Sequence, residues 1–388
     1  MKRKNILFDG TAIQPSELAA FHGGSEYART ILSEALRRKC TFDIVFWEKR
    51  YVPEDILGQI NEAQAMVECI YVRDKQGLYS LLQSRAYDLF YSPLPYDYFD
   101  YNGTVPVFGV LHGVRDMECP WDKYSFVYAA SLGKKMKHWV ISQLPFTWHL
   151  RRKKYESRIK RLMDNPMFRF TTISEHSKYA LLNFFPRLNP EDISVFYSPI
   201  EIEISENASG NPDSDYYLLV SGNRPVKNTY RAIMAFDKLF NEGRLRNKRV
   251  IVTGVPNPRI FSRFQKQANF EFLPYVAKTE LDSLFQHAYC FVYPSLSEGF
   301  GYPPLQTMAK GVPVIASSST SIPEVCGNAA LYFSPTNIDD MCNRILQLEY
   351  NRQTYDRLVK AGYARIRELK RIIAKDLEKQ LGMIFGRV

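Results

Sequence analysis

Short apolar runs alternate with helical patterns along residues 1–200. Residues 5–8 (Asn-Ile-Leu-Phe) predict a buried strand that Asp9-Gly10 ends. Residues 25–36 place Tyr27, Ile31 and Leu32 on one helical stripe. Further strands are predicted at 42–47, 88–91, 105–111, 168–173 and 193–197, with a helix at 177–185. Such alternation predicts a parallel sheet covered by helices.

The pattern breaks at 201–215, a polar, turn-forming stretch that reads as an interdomain linker. It then restarts. Strands are predicted at 217–220, 249–253, 290–293, 312–316 and 330–333, and helices at 229–240, 279–287, 303–309 and 338–348. The fold class is therefore α/β, with two doubly wound Rossmann-like domains. Residues 1–200 form the first and 201–370 the second, with a ligand crevice expected between them at the carboxyl ends of the strands. Residues 355–384 read as charged helix, so 371–388 is expected to be a terminal helix returning to the first domain.

Composition narrows the class. The chain of 388 residues is 45% hydrophobic and 24% charged, which excludes wholesale disorder. Its six cysteines are scattered, with no Cys-x-x-Cys pair, against a disulfide scaffold or zinc ribbon. No secretory signal is read at the start and no apolar stretch reaches bilayer-spanning length, so a cytoplasmic location is expected. The net charge is +10. Residues 134–161 hold ten basic side chains against one acid, Glu156, with Trp139, Phe146 and Trp148 interleaved. Lys134, Lys135, Lys137, Arg151, Arg152, Lys153 and Lys154 suit an anionic membrane surface or acceptor, or form a solvated helix face. No nucleic-acid-binding module is present in the pattern.

Four constellations carry candidate chemistry. The sharpest is Glu298-Gly299-Phe300-Gly301-Tyr302-Pro303-Pro304-Leu305-Gln306, directly after a strand. Its glycines allow close backbone approach, its prolines fit a first helical turn, and a helix start suits a diphosphate. Glu298 can accept hydrogen bonds from sugar hydroxyls. The second, Ser221-Gly222-Asn223-Arg224-Pro225-Val226-Lys227-Asn228, combines a glycine turn, two cations and an expected helix cap at Asn228. The third is His112-Gly113 at a strand end, and the fourth is His22-Gly23-Gly24-Ser25 opening a helix.

Together these pieces resemble the family-four retaining glycosyltransferases (glycosyltransferase group one) of the two-Rossmann GT-B fold. The likeness is strongest over 221–335, where the Arg/Lys loop, Glu298-Gly-Phe-Gly, Gly311-Val-Pro-Val and Ile322-Pro-Glu-Val keep the family's order. It implies metal-independent hexosyl transfer, with retention, from a GDP-, UDP- or dTDP-linked sugar to a glycan or lipid-linked acceptor. No cofactor is implied. By the resemblance Arg224 and Lys227 neutralise the diphosphate, Glu298 binds sugar hydroxyls, and Gly299, Phe300 and Gly301 supply backbone donors. It also sets His112 against the transferred sugar and Gly23 and Gly24 near the phosphates. Gly222 shapes the phosphate turn, and Tyr275 and Val276 lie in the base-contacting loop. Two departures stand out. Gln306 replaces the ribose-binding second glutamate, and His112-Gly113 stands where the family often has His-Asp. A neutral Gln306 keeps an acceptor but loses charge, which would suit a deoxyribose.

Rival readings are a nucleotide-sugar epimerase of the same fold and a non-catalytic sugar-nucleotide-binding relative. Asp213-Ser-Asp215 mimics a metal-binding Asp-x-Asp, but it precedes a strand instead of following one and reads as a solvated turn.

Overall fold

The computed structural model describes residues 5–15, 23–64, 66–129, 131–205, 210–264 and 267–386. Its strands are β1 (Ile6–Asp9), β2 (Phe42–Trp47), β3 (Val67–Val72), β4 (Leu89–Ser92), β5 (Val107–Leu111), β6 (Phe168–Thr172), β7 (Ser194–Val195), β8 (Tyr216–Leu219), β9 (Arg249–Val252), β10 (Phe270–Phe272), β11 (Cys290–Tyr293), β12 (Val314–Ser317) and β13 (Ala330–Phe333). Its helices are α1 (Gly23–Arg37), α2 (Glu54–Glu62), α3 (Lys75–Ser84), α4 (Arg115–Glu118), α5 (Leu132–Gln143), α6 (Pro145–Met163), α7 (Glu175–Phe184), α8 (Thr229–Asn241), α9 (Lys278–His287), α10 (Tyr302–Met308), α11 (Ile322–Cys326), α12 (Ile338–Glu349) and α13 (Arg352–Phe385).

The strands form two sheets, ordered β3-β2-β1-β4-β5-β6-β7 and β10-β9-β8-β11-β12-β13. Each pairing is parallel. Strands such as β1, β5, β8 and β11 are buried at every position, because helices cover both faces of a parallel sheet. In each sheet the order reverses between the first strand and the fourth, β1/β4 and β8/β11. In doubly wound sheets, ligands bind beyond the carboxyl ends of the strands at such a reversal.

Two compact units result. One comprises 1–114, 153–201 and 371–388, and the other 115–152 and 202–370. Residues 115–152, expected within the first domain, therefore cluster with the second sheet. Val127 is buried in that sheet's own core, beside Tyr230, Phe261 and Phe264. The end of α13 packs in the first unit, where Gln380 is buried and donates to the Tyr27 hydroxyl. Phe385 meets Phe42 at 5.4 Å between ring centres. No helix among the described residues is long and apolar enough to cross a membrane.

Candidate active site

In the second unit the loop after β8 carries Lys227 and the loop after β11 carries Glu298. The backbone ties them, since Leu296 N donates to Val226 O at 2.8 Å. Lys227 Nζ lies 2.7 Å from Glu298 Oε1 and 3.1 Å from the Tyr293 hydroxyl, with its ammonium 4.9 Å from the centre of that ring. The Ser295 hydroxyl also donates to Glu298. Both members are withdrawn from water, at 9% side-chain exposure for Lys227 and 17% for Glu298. Burial opposes the carboxylate's charge, yet Lys227 and the hydrogen bonds around it outweigh that cost and hold Glu298 below its ordinary range. Burial likewise pulls the Lys227 ammonium down against the support of Glu298, and the charges of Arg224 and Arg115 push the same way. Arg115, Tyr293 and Ser295 were missed in the sequence. Ser295, three residues before Glu298 in the same loop, was the one with a readable signal.

The remaining backbone is held closely. Glu298 N donates to Thr320 Oγ1 at 2.9 Å, and the Ser321 hydroxyl donates to the carbonyls of Glu298 and Phe300 at 3.0 and 3.1 Å. Gly301 precedes α10 at φ 112°, a conformation that favours glycine. Pro303 and Pro304 open α10 without amide hydrogens, so this helix start presents fewer donors than the sequence reading expected. Gln306 is half-buried on the same helix.

Three expectations change in detail. Asn228 stands at the helix start but does not cap it. It sits at φ 56° and sends Nδ2 to Pro294 O and Pro335 O at 3.0 and 2.7 Å. Gly222 offers no spare amide, because its N–H donates to Thr253 O at 2.9 Å. Its role is close approach, since an added Cβ would meet Val252 and Val255 at 2.6 Å. Gly23 and Gly24 belong to the first turn of α1, not to a loop, and a Cβ on Gly24 would press on Leu94 at 2.8 Å. His22 lies outside the described residues.

Tyr275 is half-exposed and donates to Asn223 Oδ1 at 3.0 Å, which places the 273–276 loop beside the β8 turn. Val276 is partly buried next to it. His112 belongs to the first unit, where its ring meets Tyr27 at 4.8 Å between centres and its backbone meets Tyr96. Its Nε2 is 2.9 Å from Pro93 O, which puts the proton of a neutral ring on Nε2. The Tyr96 hydroxyl accepts from His112 N at 2.7 Å and donates to Gly113 O at 2.9 Å. Gly113 has φ 125°, so the turn after the histidine favours glycine where the family often has aspartate. Asp215 pairs with Arg249 at 2.9 Å, and no three His, Cys, Asp or Glu side chains converge among the described residues.

A wholly parallel sheet whose strand order reverses between its first and fourth strands is the doubly wound α/β arrangement, in which ligands bind beyond the carboxyl ends of the strands at that point. The chain matches, over residues 201–365, the family model described as glycosyl transferases group 1. It is 36% identical over 138 residues to O-antigen chain mannosyltransferase B of Escherichia coli, covering 34% of this chain and 36% of the relative. It is 30% identical over 167 residues to O-antigen chain mannosyltransferase RfbU of Salmonella typhimurium, covering 42% and 46%. The match thus spans less than half of either relative's length. Among solved structures, WaaG, a glycosyltransferase involved in lipopolysaccharide biosynthesis, aligns over 98% of this chain and all of its own, with TM-score 0.66 and 14% identity. Anabaena HepE in complex with UDP and glucose aligns over 99% and 100%, with TM-score 0.65 and 12% identity. The fold is GT-B.

Proposed function

We propose that this protein transfers a hexose from a nucleotide diphosphate sugar to a glycan or lipid-linked acceptor in polysaccharide synthesis, with retention and without a metal. The observation that carries the reading is the buried Lys227–Glu298 pair at the β8/β11 switch point, inside the span that matches the family. A glycosyl–diphosphate bond breaks readily once the charge growing on its leaving oxygen is stabilised, and fixed cations supply that. Lys227 and Arg224 are the cations for this role. Glu298, ionised and anchored by Lys227 and Ser295, is the acceptor for a sugar hydroxyl. The relatives named as mannosyltransferases favour a GDP-mannose-like donor. HepE, in complex with UDP and glucose, keeps a UDP-linked one in the test.

Thermal shifts with GDP, UDP, ADP and dTDP on the wild type and Lys227→Ala test the site. A ligand at about a hundred times its Kd adds about 2.7 kcal/mol, which moves a melting point by several degrees. One nucleotide should stabilise the wild type far more than the variant, and Lys227→Ala should lower turnover at least ~10²-fold. Near-normal turnover in the variant would overturn the assignment.

A further inference from the structure

The basic segment acquires a second property once it is folded. Seven of the thirteen large hydrophobic side chains that stand exposed among the described residues lie between Leu132 and Leu150. On α5 they are Leu132, Met136, Trp139 and Val140, spaced as one helical stripe, and no residue of α5 is buried. Past the turn at Leu144, α6 continues the exposure with Phe146 and Leu150. Lys134, Lys137, Lys153 and Lys154 are exposed around these side chains, and none forms an ion pair among the described residues. A patch of this size is unusual on a surface that meets only water.

The root of the segment is fixed to the second unit. Arg231 of α8 pairs with Asp122 at 2.6 Å, both nearly buried, and lies 4.7 Å from the centre of the Tyr124 ring. The Tyr128 hydroxyl accepts from Tyr230 N at 3.1 Å. Arg151, which the sequence places among the cations of the membrane or acceptor patch, is engaged at this root: it pairs with Asp116 at 3.0 Å and covers the Trp121 ring. Arg231 in turn donates to Asn228 Oδ1 at 2.8 Å, one residue beyond Lys227.

We infer that α5 and the start of α6 form a helix pair, carried by the second unit, that inserts its apolar stripe into an anionic lipid surface. The occupant follows from charge. These lysines form no ion pair among the described residues, Glu156 is the only acid in 134–161, and an apolar stripe edged by lysines matches the boundary between anionic headgroups and acyl chains. A helix pair too short and too charged to cross the bilayer lies in that boundary. The inference does not rest on the transferase reading, and its test uses no sugar nucleotide.

The full chain is sedimented with vesicles of phosphatidylcholine alone and of phosphatidylcholine with phosphatidylglycerol, at low and high salt. Binding should require phosphatidylglycerol and weaken with salt. Brominated acyl chains should quench tryptophan emission, and Trp139→Phe should remove that quenching. Combined Leu132→Ser, Met136→Ser and Leu150→Ser should lower vesicle binding at least about tenfold with an unchanged melting temperature, because the three side chains are already exposed. Three outcomes would overturn the inference. They are no vesicle binding, wild-type binding and quenching in the triple variant, and conversion of a wild-type dimer to monomer by that variant, which would assign the stripe to a second copy.

Discussion

Asp9 ends β1 at the reversal point of the first sheet and is fully buried. Its carboxylate accepts from Thr11 N at 3.1 Å, Thr11 Oγ1 at 2.6 Å, Ser92 Oγ at 2.7 Å and the Tyr98 hydroxyl at 3.0 Å. Burial nonetheless outweighs these donors and raises its pKa. A carboxyl whose folded pKa exceeds its unfolded value binds more protons when folded. Its contribution is therefore greatest at low pH and declines as pH rises from about 4 through the raised value. The stability of wild type minus that of Asp9→Asn should fall across that window in urea titrations. A difference that stays flat or rises would mean that the four donors win. Glu298 is the contrasting case, because there a full cation joins the donors and the balance reverses. The sequence showed both acids at strand-end turns. It could not show this difference, which depends on whether a lysine 71 positions away folds back onto the carboxylate.

At the scale of elements, strands such as β5, β8 and β11 were legible because each is a continuous apolar run. Edge strands β3 and β10 were not. β3 (Val-Glu-Cys-Ile-Tyr-Val) is buried only at its two ends, and β10 is three residues long, so neither builds a strong pattern. Helix α8 was legible, but its mooring was not. Asn228 joins α8 to the loops after β11 and β13 by its side chain, in a left-handed conformation that sequence patterns do not reveal. Two variants separate these roles. Asn228→Gly keeps the backbone conformation, orphans two carbonyls and removes an acceptor of Arg231, costing about 2–3 kcal/mol. Asn228→Ala adds the left-handed penalty, about 1 kcal/mol more. Urea unfolding should order them wild type, Gly, Ala. Equal stability of wild type and Gly would show that the three side-chain hydrogen bonds contribute nothing.

For the whole molecule, the chain passes between its two units four times, after Val114, Arg152, Glu201 and Lys370. The linker at 201–215 was the one passage with a compositional mark, since only there does polar, turn-forming sequence interrupt the alternation. The passages after Val114 and Arg152 are hidden because what binds 115–152 is tertiary: Arg231 reads as one more charge on α8 until Asp122 meets it. This organisation predicts how fragments behave. A 1–200 fragment lacks Gln380, Leu381 and Ile384, which are buried in the first unit, and should not fold. Restoring 371–388 should recover a cooperative melt. A 202–370 fragment lacks Asp122 and Tyr124, so the Arg231 guanidinium loses both its counter-charge and the ring that covers it. Arg231→Met in that fragment removes the stranded charge while keeping the apolar stem. It should therefore raise the fragment's melting temperature, although the same change in the full chain lowers it by stranding Asp122 instead. Opposite signs in the two contexts are what a buried pair shared by 115–152 and α8 requires. The same sign in both would mean that the segment and the second unit are stable without each other.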